Sequence, residues 1–290
     1  MPDQAARLRE LAQARWVEQV QKTPSGLRVI AVSSGKGGVG KTNVVVNLAI
    51  TLARMGKRVA VFDADLGMAN VDVLLGMVPK YTLHDVLRGE RSLEQIIIPG
   101  PYDIMVVPGG SGVQELANLD YYQREHLLRE IRIFEDRADF LLIDTGGGIS
   151  RNVLGFVSAA DEVMIISTPE PTAITDAYSM IKVLSRFQLH QEVYLVINRA
   201  SNRGEAQQTA AKLETAARRF LQLKVTTLGY ILDDRAVGKA VMSQQPFTLL
   251  YPQAVATQNI RDIAAGLVEG GSWSTGGVGG FMERLLRLFS

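Results

Sequence analysis

Cysteine is absent from the 290 residues, which excludes disulfides, thiolate-bound metal and cysteine-held iron–sulfur clusters. Its absence accords with a reducing compartment, and the expected location is the cytoplasm. An excess of charge of one sign is missing too, since 31 Lys and Arg stand against 30 Asp and Glu for a formal net charge of +1. Such a surface neither draws nor repels polyanions on average, so any nucleic-acid or membrane contact is expected to be local. No segment reaches the roughly 20 uncharged apolar residues that a spanning helix needs. The charged opening MPDQAARLRE has no apolar run, so no secretory signal is expected. No internal repeat is found. What remains is a globular composition, 47% hydrophobic and 21% charged, with enough chain for one large core.

Short β-branched runs recur at residues 27–34, 58–65, 103–110, 139–146, 162–169, 192–199 and 227–234. They are too apolar to have a wet face, and stretches with helical periodicity join them, as in NVVVNLAITLARMGKR (43–58). The fold class expected is α/β, a mostly parallel twisted sheet with helices on both faces. Ligands in such sheets bind beyond the carboxyl ends of the strands. Residues 27–268 form the expected main domain. Residues 1–26 read as an appended arm, with Leu8, Leu11, Ala12, Trp16 and Val20 on one helical stripe. Residues 269–280, EGGSWSTGGVGG, read as a flexible linker, and 281–290, FMERLLRLFS, as a short amphipathic helix. In that tail Phe281, Met282, Leu285, Leu286 and Phe289 share an apolar face, and Arg284 and Arg287 lie away from it. A helix this short is unstable alone in water and should form only on a surface. An anionic membrane suits it, and a groove on the protein's own body or on a partner remains the alternative.

Gly35–Thr42, GKGGVGKT, fits the phosphate-loop pattern G-x-x-x-x-G-K-[ST] between an expected strand and an expected helix. Backbone amides of Gly35, Lys36, Gly37, Gly38, Val39 and Gly40 are expected to curl around an anion at the helix N-terminus. Lys41 is expected to reach the β and γ phosphates and the Thr42 hydroxyl to bind Mg²⁺, with Asn43 completing the candidate ATP-binding run. Lys36 is not needed for this. The residues alone leave it either a solvated charge or a group that points outward to complete a nucleotide site on another copy.

FDAD puts Asp63 and Asp65 at a strand end, two residues apart and on one side of the chain. FLLID ends in Asp144, as expected of an acid that holds Mg²⁺ through water beside a phosphate loop. TGGG (145–148) would permit a backbone switch. For Asp63 or Asp65 taken alone, a helix N-cap is the plainer alternative. No glutamine or histidine lies in the loops expected near the γ phosphate, so Asp65 is the candidate to position water. NRAS (198–201) lacks the carboxylate that would pair with guanine, whereas the Asn198 amide both donates and accepts as adenine requires. ATP is therefore favoured, with Asn198, Arg199, Leu232 and Asp233 as candidate base-side contacts. A strand-to-loop turn capped by Asn198 is the plainer alternative.

Together KGGVGKT, DADLGMANVDVLLG (63–76), LLIDTGGG and INR resemble the deviant Walker A ATPases of the MinD and ParA group over residues 27–268. DQAARLRELA, TPEPTAITDAYSMIK (168–182) and the tail further resemble the FlhG/FleN/YlxH family of flagellar number regulators. That resemblance implies an ATP-bound homodimer in which Lys36 crosses to the partner's phosphates while Lys41 serves its own. It also implies Thr42 and Asp144 at Mg²⁺, Asp63 near the metal and Asp65 positioning water, in a slow Mg-dependent ATPase whose turnover releases the dimer. Asp3, Gln4, Leu8 and Arg9 would contact and activate the GTPase FlhF, and flagellar switch-complex proteins of the C-ring would be further partners. The ATP dimer would sit on the inner face of the cell membrane, and no nucleic acid is expected. A proline usual after this acid in MinD is replaced by Thr145, so switch geometry is not carried over. A MinD-type division-site ATPase, a ParA-type DNA-partitioning ATPase and a metabolic ATPase of the same fold are the competing readings.

Overall fold

The computed structural model describes residues 26–65, 70–109, 126–127, 129–187 and 189–270. The arm residues Asp3, Gln4, Leu8 and Arg9, and the tail residues Phe281, Met282, Leu285, Leu286 and Phe289, lie outside the described residues.

The strands are β1 (Arg28–Ser34), β2 (Val59–Ala64), β3 (Ile98–Pro99), β4 (Met105–Val107), β5 (Phe140–Gly147), β6 (Glu162–Ser167), β7 (Glu192–Ala200) and β8 (Lys224–Leu232). They form one sheet in the order β3-β4-β2-β5-β1-β6-β7-β8. Every pairing is parallel except β3 with β4. In the central strands β1, β2 and β6 every residue is buried, which is why they read as unbroken apolar runs rather than alternating ones.

Alternation instead sorts side chains between two cores. Val29 and Ala31 of β1 enter one, and Ile30 and Val32 enter the other. On the second face lie α1 (Lys41–Arg54), α2 (Val71–Leu74), α9 (Arg235–Met242), α10 (Phe247–Leu250) and α11 (Val255–Glu269). On the first lie α3 (Leu83–Leu87), α4 (Leu93–Ile96), α5 (Ile133–Arg137), α6 (Arg151–Ala159), α7 (Pro171–Arg186) and α8 (Arg203–Phe220).

Several element ends differ from expectation for local reasons. The 103–110 run is a strand only over Met105–Val107, because Tyr102 and Asp103 take positive φ before it and Pro108, after it, has no N–H to pair. The last strand stops at Leu232, since Asp234 turns to cap α9, its Oδ1 accepting the Ala236 N–H at 2.8 Å. Helix α11 runs through Glu269, one residue into the expected linker.

At the amino ends of the strands, the buried Arg28 guanidinium pairs with Glu162 at 2.6 Å and donates to the Leu267 carbonyl at 2.6 Å. That clasp ties the start of β1 to the last turns of α11. The phosphate-loop sequence lies at the opposite, carboxyl pole.

Candidate functional site

Beyond Ser34 the chain leaves β1, makes the glycine-rich loop and enters α1, whose N-cap is Gly40 at φ 87°. Two glycines are dictated here by their surroundings. Gly40 takes the left-handed conformation, and a Cβ on it would stand 2.5 Å from the Asn198 amide nitrogen. Gly147 lies so close to the loop that a Cβ would meet the Gly37 nitrogen at 2.6 Å. Strand β5 thus continues past Asp144 and presses its backbone on the loop, and the Gly148 N–H donates to the Ser34 carbonyl at 2.9 Å.

Beneath the loop the Lys41 ammonium donates to Asp144 Oδ1 at 2.7 Å, with side chains 8% and 0% exposed. Burial raises the Asp144 pKa, opposed by Lys41 and the nearby Thr42 hydroxyl. Asp144 Oδ2 is buried without a protein donor, and a buried acceptor of this kind is costly unless something completes it. Asp63 stands directly across from Asp144 in the β2–β5 ladder. Its Oδ1 accepts the Asp65 N–H at 3.1 Å, and its Oδ2 accepts those of Asn70 and Val71 at 3.1 and 3.2 Å. Burial first, and the Asp144 charge second, push Asp63 up to about 7 against the pull of those three N–H groups. Both of its oxygens thus accept backbone N–H groups, Oδ1 at Asp65 and Oδ2 at the start of α2, a use close to the helix-capping alternative for this acid. Asp65 is half-buried and faces Gly146, whose Cβ would lie 3.5 Å from Asp65 Oδ1.

The residues present fit magnesium held jointly with phosphate. Among the described residues no group of three or more His, Cys, Asp and Glu side chains suits a metal ion by itself. A cation that keeps waters and shares substrate phosphates needs only one or two carboxylates, and Asp144 offers an oxygen not otherwise engaged.

Lys36 has an intramolecular destination that its sequence context did not disclose. Its ammonium donates to Glu170 Oε2 at 2.6 Å and to Thr172 Oγ1 at 2.9 Å, and the lysine pulls the Glu170 carboxyl below its ordinary value. Both partners lie in TPEPT, a segment that carried the family resemblance but no assigned chemistry.

On the base side the expectations separate. Thr168, Pro169, Glu170, Arg199, Ser201, Glu205 and Asp233 line a cleft of about 360 Å³, which brings Arg199 and Asp233 together. Leu232 is half-buried and donates its N–H to Asn259 Oδ1 at 3.1 Å. Asn198 does not line the cleft. Its amide donates to the Val39 carbonyl at 2.8 Å and accepts the Arg199 N–H at 3.0 Å. These bonds match the plainer turn-capping alternative for Asn198, and the amide keeps a second N–H and a second lone pair.

The arrangement gathers a cation, a glycine-rich loop leading into a helix N-terminus and acids toward the carboxyl ends of adjoining strands, the equipment of phosphate binding. The model of the CobQ/CobB/MinD/ParA nucleotide-binding domain matches residues 30–247. The antiactivator FleN of Pseudomonas aeruginosa is 42% identical over 238 residues, 82% of this chain and 85% of FleN. The flagellum site-determining protein YlxH of Helicobacter pylori is 32% identical over 295 residues, 99% of each chain. Among solved structures, the septum site-determining protein MinD of Pyrococcus horikoshii, complexed with Mg-ADP, superposes with a TM-score of 0.70 at 26% identity, over 84% of this chain and 96% of that one.

Proposed function

The chain belongs to the MinD/ParA nucleotide-binding family, in its flagellar FleN/YlxH branch, and from that premise we propose an ATP-dependent dimerising ATPase that cycles on the membrane and sets flagellar number or placement. The observation that carries the reading is the buried Lys41–Asp144 pair under the glycine loop, with a second lysine, Lys36, at the loop's entry. Thr42 and Asp144 would hold magnesium, which when bound neutralises charge on the phosphates. Lys41 would leave Asp144 for phosphate. Asp65, beside Gly146, would position the attacking water rather than remove its proton fully, and Asp63 would hold the backbone at Asp65 and at Asn70 and Val71. Arg199 and Asp233 would flank the nucleoside.

Lys36 would exchange Glu170 and Thr172 for the phosphates of a second copy. A half-exposed ion pair of this kind is worth only about 0–1 kcal/mol, so it is easily surrendered to a multiply charged partner. Among the described residues no helix is long and apolar enough to cross a membrane, and attachment is assigned to Phe281, Met282, Leu285, Leu286 and Phe289. Two tails on one dimer would bind far better than one. The arm, through Asp3, Gln4, Leu8 and Arg9, would activate FlhF, and C-ring proteins would be further partners.

The test is mass in solution, followed by two binding assays on the full chain. The expected result is a monomer with ADP, a dimer for Asp65→Ala with ATP, and a monomer again when Lys36→Ala is added. A monomer throughout would sink the crossed-lysine switch. Deleting 281–290 should abolish vesicle sedimentation but keep ATP binding, and Gln4→Ala should reduce stimulation of FlhF GTPase. Unchanged sedimentation, or no stimulation by the intact chain, would remove the corresponding part.

A further inference from the structure

A phosphate loop grips an anion only while its amides point inward, so its carbonyls must point outward and be satisfied there. The Val39 carbonyl belongs to the last peptide before Gly40 and Lys41, where a flip would aim oxygen at the phosphates. Val39 is 3% exposed, so water does not readily satisfy that oxygen. The Asn198 carboxamide does, at 2.8 Å in a buried contact.

The chain departs from regular geometry to deliver this side chain. The β7–β8 register shifts between Asn198 and Ala200, and the intervening Arg199 takes φ 57°, a left-handed conformation uncommon outside glycine. Irregularities of this kind re-aim a side chain beside an active site. The carboxamide is also locked from behind, because its oxygen accepts the Arg199 N–H at 3.0 Å.

We infer that Asn198 is a positioning residue of the phosphate loop, pinning the Val39 carbonyl outward so that the loop is set for phosphate before nucleotide arrives. Because Arg199 both locks Asn198 and lines the nucleoside cleft, the same strut links base occupancy to phosphate grip. The affinity part of this inference rests on the nucleotide reading above; the strut itself does not.

The experiment is hydrogen exchange on the nucleotide-free full chain, comparing wild type with Asn198→Ala and Asn198→Asp, alongside ATP and ADP affinities. The aspartate keeps the shape of the side chain but has no N–H to give Val39, so it serves if the alanine variant fails to fold. Both variants are expected to speed exchange across residues 35–43 about fivefold, the worth of one net hydrogen bond, with the α7 segment unchanged. ATP and ADP should weaken by similar factors. An unchanged loop in the nucleotide-free protein, even with weaker ATP binding, would overturn the strut and leave Asn198 a base contact. Faster exchange everywhere would overturn it as well, as general destabilisation. If wild type binds no ATP, the proposed function fails while the exchange comparison still decides the strut.

Discussion

Asp63 sits under two opposed demands. Three backbone N–H groups favour its charge, while burial and Asp144 disfavour it more and raise the group from 3.8 to about 7. The folded protein therefore holds this proton through a window in which the unfolded chain has released it. Stability should fall as pH rises from about 4 to about 7 and level above that. Thermal melting of nucleotide-free Asp63→Asn is expected to show a shallower decline over that window, and a slope as steep as the wild type's would assign it elsewhere. The placing of Asp63 and Asp144 toward the carboxyl ends of neighbouring strands was legible in the sequence, because each follows an apolar run. The company kept by Lys36 and Asn198 was not. A salt bridge spanning 134 residues, or an amide reaching 159 residues back to Val39, depends on strand order, which the local pattern does not encode.

Among elements, the carboxyl end of β5 does the most to shape the site. Ser34 and Gly147 are ladder partners across a β1–β5 irregularity, and the glycine lets two backbones touch where any side chain would intrude. Gly147→Ala is expected to weaken ATP binding roughly tenfold or more, the usual scale of overpacking at 1–3 kcal/mol. The melting temperature should move little, because the strain falls on a loop at the rim. Calorimetric titration and a melt distinguish the two, and undiminished ATP affinity would show that the loop yields freely. TGGG drew attention in the sequence as a switch, yet nothing in four residues says what they press against. The central strands were readable because burial on both faces leaves only apolar choices. Their ends were less so, and the two-residue β3 not at all, since a strand that short carries no period. Caps such as Asp234 decide the ends, and an aspartate reads alike in a cap, a turn or a site.

The whole molecule is polarised. The glycine-rich loop, Lys41 and the neighbouring acids gather at the carboxyl pole, and both ends of the described body, Gly26 and Gly270, belong to the other pole, where Arg28 joins Glu162 and the Leu267 carbonyl. Removing one member of a buried pair strands the other, so Arg28→Ala should cost about 3–5 kcal/mol in urea unfolding. Replacing both, Arg28→Met with Glu162→Leu, should recover most of that loss if desolvation is the cause; no recovery would place the value of Arg28 in its bond to α11. The α/β layering was visible in the alternation of strand and helix signals, but this clasp was not, because it joins residues 239 positions apart. It has a mechanical consequence. A chain anchored by either end and pulled taut transmits tension into the clasp and the first rungs of β1, while the phosphate loop stands off the line of force. The protein is built like a boat moored at the stern, free to swing its bow.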